Sequence, residues 1–191
     1  FDAALVRLGP GPFAVRSSGR AEDGAAHSHA GQFLSRLGVA ADDVEAAAVE
    51  VWRSGFTDSI AEYRRVSGVE KGDSAPAVIV QRMVDARAAG VAFSADPVSG
   101  RRDRIVISAT VGLADRLVSG EVDGADYVIE RPGGRVLASA DGAGPLTPED
   151  VAAVATLAAR VEAAFGIPQD IEWAFDRERL HVLQARPITT A

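Results

Sequence analysis

This sequence predicts an α+β fold rather than a doubly wound parallel sheet, and three observations carry that reading. Strand-like runs follow one another in quick order from Ala77 to Ala138. One long amphipathic helix pattern then spans Thr147 to Phe165, and the chain closes on two strands around a short turn. Strands and helices are mixed without the strict alternation that builds parallel βαβ units.

Phe13-Ala-Val-Arg16 follows Gly9-Pro-Gly-Pro12 and reads as a short strand leaving a turn, running into the polar, glycine-bearing loop Ser17 to Gly24. Asp42 and Asp43 read as an N-cap pair for a helix whose apolar stripe is Val44, Ala47, Ala48, Val51 and Trp52, at spacings of three and four. Gly55 breaks that pattern. A second helix is expected from Thr57 to about Val66, and Gly68 to Pro76 reads as loop.

The strand runs are Ala77–Met83, Gly90–Ser94, Arg104–Ala109, Tyr127–Glu130 and Val136–Ala138. Their connections carry turn chemistry at Asp96-Pro-Val-Ser-Gly100 and Arg131-Pro-Gly-Gly134. Thr147-Pro148-Glu149-Asp150 combines an N-cap, a proline at the first helical position and first-turn acids. The helix buries Val151, Val154, Leu157, Ala158, Val161 and Phe165, and Gly166 ends it. Asp170–Phe175 and Arg179–Gln184 form the closing strands around Asp176-Arg177-Glu178.

Composition narrows the function classes. A hydrophobic content of 47% over 191 residues suffices for one sizeable core or two small lobes. The net charge of −7 argues against nucleic acid as the main partner. No run approaches the ~20 apolar residues that span a bilayer, and no signal-peptide pattern opens the chain. The absence of cysteine removes disulfides and thiolate metal sites and fits a cytoplasmic location. The chain opens at Phe1, its one methionine is Met83, and it reads as a piece of something longer.

Two segments are candidates for chemistry. If Glu172 sits opposite Gln184 in the last hairpin, antiparallel register sets Ala174 opposite Val182. Arg186 then shares the face of Glu172, while Ile171, Trp173, Phe175 and Leu183 take the other. A carboxylate and an amide oxygen suit a hard cation such as Mg²⁺, and an adjacent guanidinium suits phosphate. The same alternation equally describes the solvated face of an edge hairpin. The second segment, Ala14-Val-Arg16-Ser17-Ser18, ends a strand in an arginine and two serines before a glycine-bearing loop. It could gather a guanidinium and backbone N–H groups around phosphates, or be a plain strand-to-loop transition. It is not a Walker A loop.

Six blocks, in order, resemble the ATP-binding domain shared by phosphoenolpyruvate synthase, pyruvate phosphate dikinase and rifampicin phosphotransferase. They are AVRSSGRAEDG (Ala14 to Gly24), AGQF (Ala30 to Phe33), FTDSIAEYR (Phe56 to Arg64), AVIVQRMVDARAAGVAFSADPVSG (Ala77 to Gly100), GLADRLVSGEVDGADYVIER (Gly112 to Arg131) and DIEWAFDRERLHVLQARPIT (Asp170 to Thr189). The resemblance implies an ATP-grasp-like nucleotide-binding domain lacking its usual N-terminal part, with ATP held between two lobes. Residues 1–76 would be the phosphate-loop strand and helical segment. Residues 77–191 would be the ATP-grasp-like sheet, with a metal-binding hairpin at 170–186.

By position, the resemblance assigns Arg16 to the ATP phosphates and Ser35 to the loop covering them. Gln81, Met83 and Val84 match the hinge where adenine lies. Glu172 and Gln184 match the metal pair, for Mg²⁺ or Mn²⁺, and Arg186 matches the phosphate-contacting arginine. Arg16 and Arg186 are the implied catalytic residues. The implied activity is an ATP-dependent phosphotransfer to a histidine on a separate swivelling domain, releasing AMP and phosphate, with onward transfer to pyruvate or rifampicin. The implied partners are that domain and the absent N-terminal lobe, in cis or on another chain. His27, His29 and His181 lie outside the family's phosphohistidine context, with His181 expected on the face opposite Glu172. Two departures, the absent lysine segment and Gly112-Leu-Ala-Asp115 in place of Gly-Leu-Gly-Glu, support the alternative of a non-catalytic nucleotide- or partner-binding module.

Overall fold

The computed structural model describes residues 2–18, 34–56, 77–131, 133–139 and 144–188. The helix expected from Thr57 to Val66, the loop 68–76, most of the loop after Ser18 and the block Ala30 to Phe33 lie outside the described residues. The chain forms two compact units, Phe1–Met83 and Val84–Ala191.

In the first unit, alternation along β1 (Phe13–Ser18) puts Phe13 and Val15 on one face. That strand is the centre of a three-stranded antiparallel sheet, flanked by β2 (Ser35–Val39) and β3 (Ala77–Arg82). Phe13 and Val15 pack against Val44, Ala47 and Val51 of α2 (Val44–Ser54), with Val78 and Val80 of β3 beside them. Leu5 of α1 (Asp2–Leu8) closes the cluster. Each such fully buried aliphatic or aromatic side chain is worth roughly 1.5–3 kcal/mol relative to exposure.

Three expectations change here. Asp43 has helical backbone angles and makes no side-chain cap bond, because a 3₁₀ turn (Ala41–Asp43) leads straight into α2. Trp52 is 45% exposed; it flanks the buried stripe and packs edge-on against Phe56 at 4.7 Å. Along its length β3 hydrogen-bonds to β1, so the units divide after Met83 rather than at residues 76 and 77.

The second unit is a six-stranded sheet in the order β7-β6-β5-β4-β8-β9, with every pairing antiparallel. Strands β4 (Ala88–Phe93), β5 (Arg104–Val111), β6 (Ala125–Glu130) and β7 (Val136–Ser139) form a meander, with a one-turn helix α3 (Asp115–Val118) between β5 and β6. The chain then returns through α4 (Pro148–Phe165) and adds β8 (Gln169–Phe175) beside β4, leaving β9 (Leu180–Pro187) at the edge.

Local chemistry fixes α4 at both ends. Thr147 accepts from Asp150 N while the Asp150 carboxylate accepts from Thr147 N, Pro148 sits in the first turn, and Gly166 takes the left-handed conformation at the C-cap. Val151, Val154, Ala155 and Ala158 then bury against Ile107, Ile171 and Trp173 on one face of the sheet. Phe165, expected in that stripe, is 64% exposed; it is the last residue of the helix, next to the Gly166 cap. Arg87 ties the start of β4 to this helix. Its Nη2 lies 2.6 Å from Asp150 Oδ1, and its guanidinium stacks 4.6 Å above the Phe175 ring. Among the described residues no helix is long and apolar enough to cross a membrane.

Candidate functional site

The face of the six-stranded sheet that α4 leaves uncovered carries the polar residues of the last hairpin. Alternation along β8 sends Ile171, Trp173 and Phe175 into the core and Asp170 and Glu172 to the other side. Register pairs Glu172 with Gln184 and Asp170 with Arg186. Two carboxylates, one carboxamide and one guanidinium therefore share one face, with Val91 and Phe93 of β4 next to the acids.

The register expected further along the hairpin does not hold. It shifts between Glu172 and Trp173, so Trp173 pairs with Val182 and Ala174 with His181. Leu183 is the extra residue of this bulge in β9, and Leu180 and Ala185, not Leu183, pack against the core. The shift also carries His181 onto the face of Ala174, hence of Glu172, instead of the opposite one. There its Nε2 meets Asp176 Oδ2 at 2.7 Å. His181, followed by the backbone N–H groups of Glu178 and Arg179, holds the Asp176 carboxyl far below the ordinary range.

Asp170 is the residue that sequence reasoning missed. It is 9% exposed, and Arg186 engages its Oδ2 through Nε and Nη2, each at 2.8 Å. Its Oδ1 is buried and meets no donor. Burial pushes the Asp170 carboxyl above its ordinary range, and the nearby Glu172 charge adds to that, while Arg186 pulls the other way. The signal was present in the sequence, two positions before Glu172 and opposite Arg186.

Asp170, Glu172 and Gln184 together offer the oxygen donors that a hard cation takes. The unpartnered Oδ1 of Asp170 is the kind of buried atom that a cation or a further donor satisfies. No group of three or more His, Cys, Asp or Glu side chains gathers as a metal cage among the described residues. Two carboxylates and a carboxamide are donor types that Mg²⁺ accepts when phosphates and water complete its shell.

In the first unit, Arg16 pairs across β1 with Ser35 of β2 and with Ile79 of β3, and Ala14 pairs with Gln81. Cross-strand partners share a face, so Arg16, Ser35 and Gln81 lie on the side away from the α2 core. Ser35 is the first residue of a strand rather than part of a loop. Met83 closes this unit: its N donates to Pro12 O at 2.9 Å, and its sulfur accepts from Gly38 N at 2.9 Å. Val84 opens the second unit.

The chain matches the family described as pyruvate phosphate dikinase, AMP/ATP-binding domain, over residues 3–145 and 140–191. It is 38% identical to the prodigiosin synthesizing transferase PigC of Serratia marcescens and 38% identical to a rifampicin phosphotransferase of a Streptomyces species, each over 98% of this chain. It is 34% identical, over 93% of its length, to the phosphoenolpyruvate synthase of Pyrococcus furiosus. The chain spans about a quarter of these relatives, 24%, 24% and 26% of their respective lengths.

Proposed function

The chain belongs to the family of the pyruvate phosphate dikinase AMP/ATP-binding domain, and on that premise we propose that it is the ATP-binding part of a dikinase-type phosphotransferase with an ATP-grasp-like fold. In this reading ATP phosphorylates a histidine on a separate swivelling domain, one water being consumed as AMP and phosphate leave, and the phosphoryl group passes on to pyruvate or another acceptor.

The observation that carries the proposal is the shared face of Asp170, Glu172, Gln184 and Arg186. Glu172 and Gln184, with Asp170 beside them, hold Mg²⁺ or Mn²⁺. Asp170 also orients the Arg186 guanidinium toward phosphate through its contacts with Nε and Nη2. Arg16 and Ser35 take phosphate oxygens, and Gln81, Met83 and Val84 border the adenine. The bound cation supplies charge neutralisation on the phosphate oxygens. Arg16 and Arg186 add to it, and positioning supplies most of what remains. The acceptor histidine is the nucleophile, so these side chains need not include a base.

Calorimetric titration of the chain with ATP, with and without Mg²⁺, tests the proposal. Magnesium-dependent binding that Glu172→Ala weakens tenfold or more, about 1.4 kcal/mol, is the expected result. A folded chain that binds ATP equally well after the substitution overturns the assignment. The departure at Ala114-Asp115, where α3 starts without a side-chain cap, favours the second reading, a module that keeps nucleotide affinity alone. Binding without AMP formation on adding a histidine domain from a relative would support it.

A further inference from the structure

Where β4 runs out, a side chain closes its ladder to β8. Phe93 and Asp170 are the last paired residues of the two strands. At the next position Ser94 N donates to Gln169 O at 2.9 Å, but Gln169 N donates to Ser94 Oγ, at 2.8 Å. A regular antiparallel rung would exchange both bonds through the main chain. Here Arg131 occupies the Ser94 carbonyl, its Nη1 donating at 2.8 Å. Ser94 and Gln169 are both buried.

A hydroxyl that accepts from Gln169 N still has its own proton to place. That proton goes to the Glu162 carboxylate, in the last turn of α4. Arg131 Nη1 also donates to Glu162 at 2.6 Å, and Arg102 Nη2 at 3.0 Å. Burial pushes the Glu162 carboxyl up, but Arg131, Arg102 and Ser94 outweigh it and leave the group below its ordinary range. Glu162 is therefore an ionised acceptor near neutral pH.

This network ends one residue before Asp170. Alternation puts Gln169 on the α4 side of the sheet and Asp170 on the other, where Arg186 meets it at 2.8 Å through Nε and Nη2. A satisfied buried network is rigid, and site groups work only when such support holds them in place. We propose that Ser94 and Glu162 are positioning residues for the Asp170–Arg186 pair. Glu162 orients the Ser94 hydroxyl, the hydroxyl holds the start of β8, and Asp170 then keeps the Arg186 guanidinium aimed at phosphate. The phosphate step rests on the nucleotide reading; the hold on Arg186 does not.

Nitrogen–proton correlation NMR of the 191-residue chain tests that hold without nucleotide. The Arg186 Nε–H resonance is identified by its loss in Arg186→Lys. In Ser94→Ala and in Glu162→Ala it is expected to move at least half of the way to its position in Asp170→Ala, where its acceptor is gone. Glu162→Gln, which keeps an acceptor for the Ser94 hydroxyl, should leave it near the wild-type position. So should Ile129→Ala, a core truncation in β6, because a native-state shift does not report a general loss of stability. Calorimetry completes the test: Ser94→Ala should weaken ATP with Mg²⁺ at least tenfold and leave adenosine within about twofold. Thermal melts by circular dichroism establish that each variant is folded; if Ser94→Ala is not, Glu162→Ala against Glu162→Gln decides. A resonance unmoved in the folded alanine variants, or moved as far by Glu162→Gln or Ile129→Ala, overturns the proposal. A moved resonance with ATP affinity unchanged upholds the hold on Arg186 and overturns the nucleotide reading instead.

Discussion

Asp170 and Arg186 face each other across the last hairpin with 2.8 Å contacts, yet the acid's carboxyl stays above its ordinary range because burial outweighs the guanidinium. A raised folded-state value means that the folded chain holds this proton more tightly than the unfolded one. The contribution to stability is therefore present at acid pH and is lost as pH rises from the usual carboxylate value through the raised one. Asp170→Asn removes that loss. The variant should melt at the same temperature as the wild type or higher near neutral pH, and its melting temperature should lose this component of pH dependence. In the nucleotide reading the same variant should bind ATP with Mg²⁺ at least tenfold more weakly. Melting curves across the acid-to-neutral range, paired with calorimetry, check both halves. A variant that is clearly less stable at neutral pH and binds normally would show that the acid serves the fold.

The parts of this site that were legible in the sequence depend on local rules. Alternation from Asp170 to Phe175 assigns each side chain a face, and one assumed pair, Glu172 with Gln184, places Arg186. Thr147, Pro148, Asp150 and Gly166 declare the ends of α4 because capping is settled within a turn. What escaped depends on distant partners. The bulge at Leu183 lets Trp173 sink into the core while β9 stays paired, and nothing within Arg179–Gln184 announces it. The strand Ser35–Val39 is largely exposed and carries an arginine and a glycine, so only its ladder with β1 makes it a strand. Trp52 sits eight residues after Val44 and four after Ala48, but it flanks the stripe of Val44, Ala47 and Val51 that packs on the sheet and so stays half-exposed.

Arg16 and Ser35 face one another across β1 and β2 but should contribute unequally to phosphate binding. A guanidinium makes charge-assisted bonds, roughly twice as strong as those of a neutral hydroxyl. Arg16→Ala is expected to weaken ATP at least tenfold while leaving adenosine within about twofold, and Ser35→Ala to weaken ATP only a few-fold. Calorimetric titration with the two ligands distinguishes a phosphate contact from a general disturbance of the sheet, which would weaken both.

Asp150 ties three parts of the second unit together, accepting from Thr147 N at 3.0 Å and meeting Arg87 Nη2 at 2.6 Å. Burial pushes its carboxyl up, but Arg87 and Thr147 outweigh that and leave it below the ordinary range. A depressed folded value contributes stability above the unfolded pKa, and that contribution is lost as pH falls through the folded one. Asp150→Ala should cost about 1–3 kcal/mol through the lost cap and the unpaired arginine. Urea unfolding at neutral pH should show this loss. At pH below the ordinary carboxylate value of about 4 the gap between wild type and variant should narrow.

Gly90 stands where β4 passes closest to β5. A Cβ built there would lie 2.0 Å from Ser108 O and 3.0 Å from Ala109 Cα, both backbone atoms that cannot rotate aside. Gly90 also pairs with Trp173 on β8, so neither flanking strand can move without opening a ladder. Gly90→Ala therefore has to part β4 from β5 or twist β4 away from the core, and overpacking of this kind costs about 1–3 kcal/mol or more. The expected result is a lower urea midpoint, with amide exchange faster in β4, β5 and β8 than in the first unit. A midpoint unchanged from wild type would mean that the two strands can separate freely, which their position inside a six-stranded ladder opposes.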